Sequence, residues 1–378
     1  MPDQLTATGR AALRTVRVLA EDIGPRLAGS GGERRAANWL AEQLEQAGCD
    51  VAIEPFSTPA TFVSLYALLT VLGGAALPLA WWSPLAGLVA GLTAGLLLAV
   101  ENLSFPVVSR LLQRHPSQNV VARRPPTGEP EQDIVITAHL DSAVVSDIRN
   151  VVHVRLLFLG MLLSCLALAA LSLALLVGAP RWVLLIGLPC AAHLAICTGI
   201  MLHQAARSPV VAGAGDNASG VAALLQAARQ LPPLTRSTVW FVATGAEEPG
   251  LVGAISLLGR HPFDRSTTWF INVDMVAAGK LRTASLEGML LPLRADPDLL
   301  RIAAEEAQAE GFSITSEVLR AMSTDGCVPL IRGYRTVSLS SSEGHWHLLT
   351  DTVENVSPDT LAQAAVLLRR MIHRLDAS

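Results

Sequence analysis

Charged side chains are scarce in this sequence of 378 residues, at 16% where soluble proteins average about 25%. Lysine occurs once, at Lys280, and the net charge of −4 excludes the basic surface that nucleic-acid-binding proteins use, so we expect no nucleic-acid partner. The five cysteines form no closely spaced pair, which argues against a disulfide framework and a cysteine-based zinc site. The apolar content of 51% excludes a disordered chain.

The apolar residues are concentrated in two blocks. No charged side chain occurs over the 39 residues from Phe62 to Val100, and Arg181 is the single charged residue between Leu156 and Ala206. Uncharged apolar runs of about 18 or more residues are typical of transmembrane helices, and each block is long enough for two. We therefore predict four spans, near Phe62–Trp81, Leu85–Val100, Leu156–Val177 and Trp182–Met201. The alternative is a set of buried helices in a large soluble core.

This pattern divides the chain into a soluble domain that two apolar hairpins interrupt. The soluble domain has an N-terminal part (1–61), a middle part (101–155) and a C-terminal part (207–378), and the hairpins cover 62–100 and 156–206. Six arginines lie between Glu101 and Arg155, whereas the hairpin tips hold one between them. Because positive charge favours the cytoplasmic side, we predict a multi-pass protein of the lipid bilayer whose soluble parts face the cytoplasm.

The soluble segments alternate between strands and helices. Apolar runs rich in β-branched residues predict strands at Asp133–Ala138, Ser237–Ala243, Thr267–Val273 and Thr336–Ser340. Helical periodicity predicts helices at Glu33–Ala47, Gly220–Gln230, Pro297–Glu310 and Pro358–Leu375. This alternation indicates an α/β fold with three layers, α/β/α, around a mostly parallel central sheet.

Side chains that bind metals follow the predicted strands. In open α/β sheets, functional sites form beyond the carboxyl ends of the strands, so these side chains are expected to share one site. In chain order they are His139, Asp141, Asp216, Glu247, Glu248, Asp274, His345 and His347.

This set has the composition of a two-metal site. Zinc binds histidine nitrogens and carboxylate oxygens. Two histidines, two terminal carboxylates and one shared carboxylate hold two ions about 3.5–4 Å apart. One of the two adjacent glutamates then remains free to act as general base. Asp141 lies two residues beyond His139 on an extended segment, where it can accept the second imidazole N–H.

Several motifs resemble the M28 family of zinc metallopeptidases, which includes bacterial aminopeptidases. The resemblance rests on HLDS, GDNASG, GAEEPGLVGA, NVDM and HLLTDT, and extends to IGPRLAGSGGERRAANWLAEQL and SQNVVARR near the N-terminus. It spans the soluble segments almost end to end. The apolar blocks have no counterpart in the soluble members of the family.

The resemblance implies two zinc ions held by five ligands, namely His139, Asp216, Glu248, Asp274 and His347. His139 and Asp274 would bind one ion, Glu248 and His347 the other, and Asp216 would bridge them. Glu247 would be the general base, and Asp141 would orient His139.

Two positions qualify the resemblance. His345 competes with His347 for the last ligand position, and His347 is preferred because Asp351 follows it at the family's spacing. The family often has Ser-Asp-His where this chain has Ser323-Thr324-Asp325-Gly326. A histidine that contacts substrate in such enzymes is therefore missing, which puts the substrate preference in doubt.

These inferences predict a membrane-anchored metallopeptidase with two zinc ions that hydrolyses N-terminal peptide bonds of a peptide or small amide substrate. One alternative is glutaminyl cyclisation with one zinc ion, or hydrolysis of a non-peptide amide, on the same scaffold. The other alternative is a catalytically inactive membrane scaffold or a transporter. A transporter is disfavoured because the predicted spans contain few ionisable residues that could form a substrate path.

Overall fold

The protein is described by a computed structural model that covers residues 2–146, 151–320 and 323–378. The chain divides into two compact units. The α/β unit comprises Met1–Ala60, Arg114–Val145 and Pro209–Ser378, and the helical unit comprises Thr61–Gln113 and Ser146–Ser208. Both predicted hairpins lie within the helical unit.

The elements follow one another along the described residues. The helices are α1 (Pro2–Arg17), α2 (Gly31–Gln46), α3 (Val63–Trp82), α4 (Pro84–Asn102), α5 (Val108–Leu112), α6 (Val151–Leu176), α7 (Leu188–Arg207), α8 (Ser219–Gln230), α9 (Val252–Arg260), α10 (Pro297–Ala309), α11 (Cys327–Ile331) and α12 (Pro358–Asp376). The strands are β1 (Asp50–Thr58), β2 (His115–Arg124), β3 (Gln132–His139), β4 (Ser237–Thr244), β5 (Thr268–Val273), β6 (Ala278–Gly288), β7 (Leu293–Arg294), β8 (Thr315–Arg320) and β9 (Arg335–Glu343).

The α/β unit is built on a nine-stranded sheet with the order β1-β2-β4-β3-β5-β9-β6-β7, and β8 pairs with β6. The four central strands β4, β3, β5 and β9 run parallel to one another. On one side β1 and β2 are antiparallel, and on the other side β6 is antiparallel to β9 and β7 but parallel to β8. The sheet is therefore mixed.

The prediction of a mostly parallel sheet is wrong for the strands on either side of the central four, which pair mainly antiparallel. The four strands recognised as apolar runs are the central ones, which are buried on both faces and connected by helical crossovers. The flanking strands expose one face, so polar residues such as Lys280 and Arg282 interrupt the apolar pattern of β6. Antiparallel pairing at these positions needs no helical crossover.

Helices pack on both faces of the sheet. Alternate residues of β3 point to opposite faces, as they do in any strand. Ile134 and Ile136 join a buried cluster with side chains of α1, α2, α8, α10 and α12, whereas Val135 packs with Leu257 of α9 on the other face. The predicted three-layer arrangement is observed in this unit.

The helical unit contains the long apolar helices. Four segments are long and apolar enough to cross a membrane, by length and composition, and they are Val63–Trp82, Pro84–Asn102, His153–Leu176 and Arg181–Arg207. Their positions match the four predicted spans. Close packing uses glycines, since a Cβ at Gly91 of α4 would lie 2.9 Å from the Cys165 carbonyl oxygen of α6. The Thr70 and Thr198 hydroxyls of α3 and α7 hydrogen-bond at 2.7 Å.

Candidate metal centre

The strand order brings the predicted ligands together. β3 lies between β4 and β5 and is parallel to both, so the carboxyl ends of all three strands open onto the same edge of the sheet. His139 ends β3, Glu247 and Glu248 follow β4, and Asp274 follows β5. Asp216 lies in the turn that precedes α8.

The first half of the site centres on His139. Its Nε2 atom lies 3.0 Å from Oδ1 of Asp216 and 3.5 Å from Oδ1 of Asp274. All three residues are buried, with the exposed fraction of His139 at 3%. One imidazole nitrogen and two carboxylate oxygens thus converge on one small volume.

The second half centres on His347. Its Nε2 atom lies 3.1 Å from Oε2 of Glu248 and 3.6 Å from Oδ2 of Asp216. His347 has a φ of 54°, in the left-handed region that side chains rarely adopt. Asp216 therefore directs one carboxylate oxygen to each histidine.

The donor set fits zinc. Ligand atoms of His139, Asp216 and Asp274 lie within 4.8 Å of one another, and so do those of Asp216, Glu248 and His347. Oε1 of Glu248 and Oδ1 of Asp274 are buried without a hydrogen-bond partner, and such atoms are costly unless a ligand satisfies them. Mixed nitrogen and carboxylate ligation is typical of zinc.

Glu247 lies beside both halves of the site. Burial raises its pKa well above the usual range, His139 opposes that rise, and the carboxylates of Glu248, Asp325 and Asp274 add to it. One oxygen of Glu247 also lies within 4.8 Å of ligand atoms of His139 and Glu248. This position suits either a general base or a metal ligand.

Asp141 contacts more of the site than its predicted role requires. Its Oδ1 atom lies 3.5 Å from Nδ1 of His139, and its backbone oxygen lies 3.2 Å from the same nitrogen. Its two carboxylate oxygens also accept the backbone N–H groups of Glu247 at 3.0 Å and Glu248 at 3.1 Å. Asp141 thus connects the segment after β3 to the turn after β4.

Two buried carboxylates that were not predicted to belong to the site hold the other loops. Asp351 accepts the backbone N–H groups of Gly215 at 2.6 Å and Asp216 at 3.1 Å. Glu33 of α2 accepts the N–H of Ala246 at 3.0 Å, just before Glu247. Burial raises the pKa of Asp351 to about 6 and that of Glu33 to about 8. Both lie in segments that resemble the M28 family, Glu33 in IGPRLAGSGGERRAANWLAEQL and Asp351 in HLLTDT, but their contacts with distant backbone atoms leave no local pattern.

The remaining predicted positions lie at the edge of the site. Nδ1 of His345 lies 2.7 Å from the Thr350 hydroxyl, and His345 joins none of the ligand groups found among the described residues. A Cβ at Gly326 would lie 2.3 Å from the Ser338 hydroxyl and 3.1 Å from Oε1 of Glu287. A side chain at Gly326 would therefore require the Ser338 hydroxyl to move.

Comparison with known proteins identifies the architecture. A model of peptidase family M28 matches residues 191–372, somewhat less than half of the chain, and this segment contains all the predicted ligands except His139. A zinc aminopeptidase from Bacillus subtilis superposes with a TM-score of 0.59 at 16% identity, covering 97% of this chain and 94% of that one. The chain has the fold of the M28 zinc aminopeptidases.

Other solved structures share this M28 fold. An aminopeptidase from Aneurinibacillus sp. strain AM-1 has a TM-score of 0.57 at 14% identity, covering 99% of this chain and 96% of that one. A glutaminyl cyclase from Bacteroides thetaiotaomicron, bound to N-acetylhistamine, has a TM-score of 0.55 at 14% identity, with 97% of each chain covered. A search of curated protein sequences finds no match.

Proposed function

We propose that this protein is a membrane-anchored metallopeptidase of the M28 type that uses two zinc ions to release N-terminal residues from peptides. The observation that carries the proposal is the position of Asp216, whose two carboxylate oxygens face different histidines, His139 and His347. A shared carboxylate of this kind is typical of two-metal hydrolytic sites. The family match and the aminopeptidase fold support a zinc-dependent hydrolase.

The side chains of the site divide the chemistry between them. His139 and Asp274 would hold one ion, Glu248 and His347 the other, and Asp216 both. When bound, the zinc ions supply Lewis-acid polarisation of the scissile carbonyl group and of the attacking water. Glu247 would accept the proton of that water and deliver it to the leaving amine. Asp141 would keep His139 and the Glu247–Glu248 turn in place.

Anchoring in the membrane rests on the helical unit. Four of its segments have the length and composition of spans, and in an apolar bilayer a helix satisfies its own backbone hydrogen bonds. The arginines of the middle segment favour a cytoplasmic α/β unit. The substrate would then be a cytoplasmic peptide, or a peptide presented at the membrane surface.

Zinc analysis combined with a substrate screen tests the proposal. The full chain is purified in detergent, its zinc content is measured by mass spectrometry, and it is offered peptides with free and with acetylated N-termini. We expect two zinc ions per chain and cleavage of the free peptides only. A chain that binds no zinc, or that cleaves acetylated peptides equally well, would contradict the proposal.

Glutaminyl cyclisation is the second candidate, because a glutaminyl cyclase has the same fold. The same purified protein is incubated with peptides that begin with glutamine, and the masses of the products are measured by mass spectrometry. Cyclisation loses ammonia and keeps the chain length, whereas an aminopeptidase shortens the peptide. One zinc ion per chain together with cyclised product would favour the cyclase.

A further inference from the structure

An inserted segment separates His139 in sequence from the other four candidate ligands. The chain leaves the α/β unit after Val145 and returns at Pro209, so His139 lies before the insertion and Asp216 after it. The two ends are paired at the base of the insertion. The N–H of Val145 donates to the oxygen of Pro209 at 2.9 Å, and the N–H of Val211 donates to the oxygen of Ala143 at 2.9 Å. Nothing in this backbone pairing contacts the ligands themselves.

Arg26 lies between the segment that follows His139 and the segment that precedes Asp216. Its side chain is fully buried, with 0% exposed. The guanidinium donates to the carbonyl oxygen of Leu140 at 2.9 Å, directly after His139. It also donates to the carbonyl oxygens of Ala212 and Gly213, each at 2.8 Å, shortly before Asp216.

The other contacts of Arg26 anchor this arrangement to the rest of the unit. Its guanidinium also donates to the oxygens of Leu19 at 2.8 Å and Gly24 at 3.2 Å, so all five side-chain bonds end on backbone carbonyls. Its backbone N–H donates to the Ser142 hydroxyl at 3.0 Å, and that hydroxyl donates to the oxygen of Val211 at 3.1 Å. Ser142 therefore also connects the two segments on either side of the insertion, through fewer hydrogen bonds than Arg26.

The fit around the guanidinium is close. Gly213 has a φ of 66°, and a Cβ there would lie 2.8 Å from Nη2 of Arg26 and 2.6 Å from Cβ of Ser142. A planar group with five donors at fixed angles can satisfy carbonyls on separate segments at once, whereas a lysine ammonium offers three donors from one point. The geometry thus requires arginine and not simply a positive charge.

We infer that Arg26 is a positioning residue for the metal centre, fixing the segment that follows His139 against the loop that carries Asp216. This inference rests on the proposed function, because it concerns the distance between ligands that are proposed to bind zinc. Arg26 contacts the backbone on both sides of the insertion, directly after His139 and shortly before Asp216.

Arg26→Lys tests the inference, with Arg124→Lys as the matched control. Arg124 also joins two segments through carbonyl oxygens, those of Ala47 and Leu231, but it does so away from the site. Zinc affinity is measured by competition with a chelator, and the absorption spectrum of the cobalt-substituted protein reports the ligand geometry. We expect Arg26→Lys to weaken zinc binding about tenfold and to alter the cobalt spectrum, and Arg124→Lys to do neither.

The outcomes are distinct. If the parent protein binds no zinc, the proposed function fails. If the parent binds zinc and Arg26→Lys binds it equally well, or if both lysine variants weaken zinc binding equally, Arg26 has only a structural role and the inference is overturned. Should Arg26→Lys fail to fold, Ser142→Ala replaces it. Because that variant keeps the guanidinium, the inference expects little change in zinc binding, and a loss of about tenfold would show that Ser142 and not Arg26 fixes the two segments, which would overturn the inference.

Discussion

At the scale of single residues, two neighbouring glutamates are expected to differ in function. Glu248 lies 3.1 Å from Nε2 of His347 and has an unpartnered oxygen, as a ligand would. Asp141 accepts the backbone N–H groups of both glutamates, and one oxygen of Glu247 lies within 4.8 Å of ligand atoms of His139 and Glu248. The backbone of the turn therefore determines which glutamate faces which part of the site.

Glu247→Gln is expected to lower kcat by about 10²–10⁴-fold while the zinc content stays unchanged, because the amide keeps the shape and loses the base. Initial rates and zinc analysis on the same sample measure both quantities. Glu248→Gln is the matched control, and it should lose zinc as well as activity. Full activity in Glu247→Gln would refute its role as the base, and loss of zinc would show that it is a ligand.

A second residue far from the site links stability to pH. Asp376, at the end of α12, accepts backbone N–H groups of Thr235, Arg236 and Ser237 at 2.7–3.0 Å. Burial alone would raise its pKa, but these bonds outweigh that effect and lower the pKa to about 2. A depressed folded-state pKa means that the stabilisation is present above the ordinary value near 4 and is lost as the pH falls through 2.

Asp376→Asn should therefore lower the free energy of unfolding by about 1–2 kcal/mol at neutral pH. The difference from the parent should shrink as the pH falls from 4 towards 2, since the parent carboxylate is then protonated. Thermal melts of the zinc-free protein across this range measure the effect without interference from the metal. An equal loss at every pH would show that the carboxylate charge is not the cause.

At the scale of elements, glycines set the spacing of the long apolar helices. Gly91 lies on α4 where a Cβ would approach the Cys165 oxygen of α6 at 2.9 Å and the Ala169 side chain at 3.0 Å. Gly199 of α7 has open space at the same position, with nothing within 4 Å. The two glycines thus differ in packing although both lie within apolar helices.

Gly91→Val should separate α4 from α6 and lower the stability of the detergent-solubilised protein by about 1–3 kcal/mol, as overpacking usually does. Gly199→Ala, which meets no neighbour, should be neutral or slightly stabilising because alanine favours the helix. Thermal melts of both variants in the same detergent provide the comparison. Equal effects of the two substitutions would mean that close packing at Gly91 contributes little.

The elements also show what the sequence predicts and what it does not. The strands β3, β4, β5 and β9 are readable as apolar runs because both of their faces are buried. Four of the five predicted ligands follow those runs, whereas Asp216 lies in the turn before α8. The strands β6, β7 and β8 are not readable, since half-exposed strands carry mixed polarity. The contacts of Arg26 and Glu33 near the ligands are not readable, because they join backbone atoms more than 100 residues away.

At the scale of the whole molecule, connectivity constrains how the chain can cross a membrane. The α/β unit is assembled from three stretches of chain, and each stretch of the helical unit runs between two of them. If the helical unit spans a bilayer and the α/β unit lies on one side of it, each apolar stretch would cross an even number of times. Two candidate spans in each stretch satisfy this requirement.

This constraint predicts that the N-terminus, the loop around Gly128 and the C-terminus lie on one side, and the arginine distribution predicts the cytoplasmic side. Single added cysteines at these three positions, in a chain whose own cysteines are replaced, can be tested with a membrane-impermeant thiol reagent on intact cells and after lysis. All three should react only after lysis, whereas a cysteine at the hairpin tip near Gly178 should react with intact cells. Labelling of the three sites in intact cells would reverse the orientation but keep the four spans. Reaction of the three sites on different sides would refute the even number of crossings, because the ligands on either side of the insertion could not then meet in one folded site.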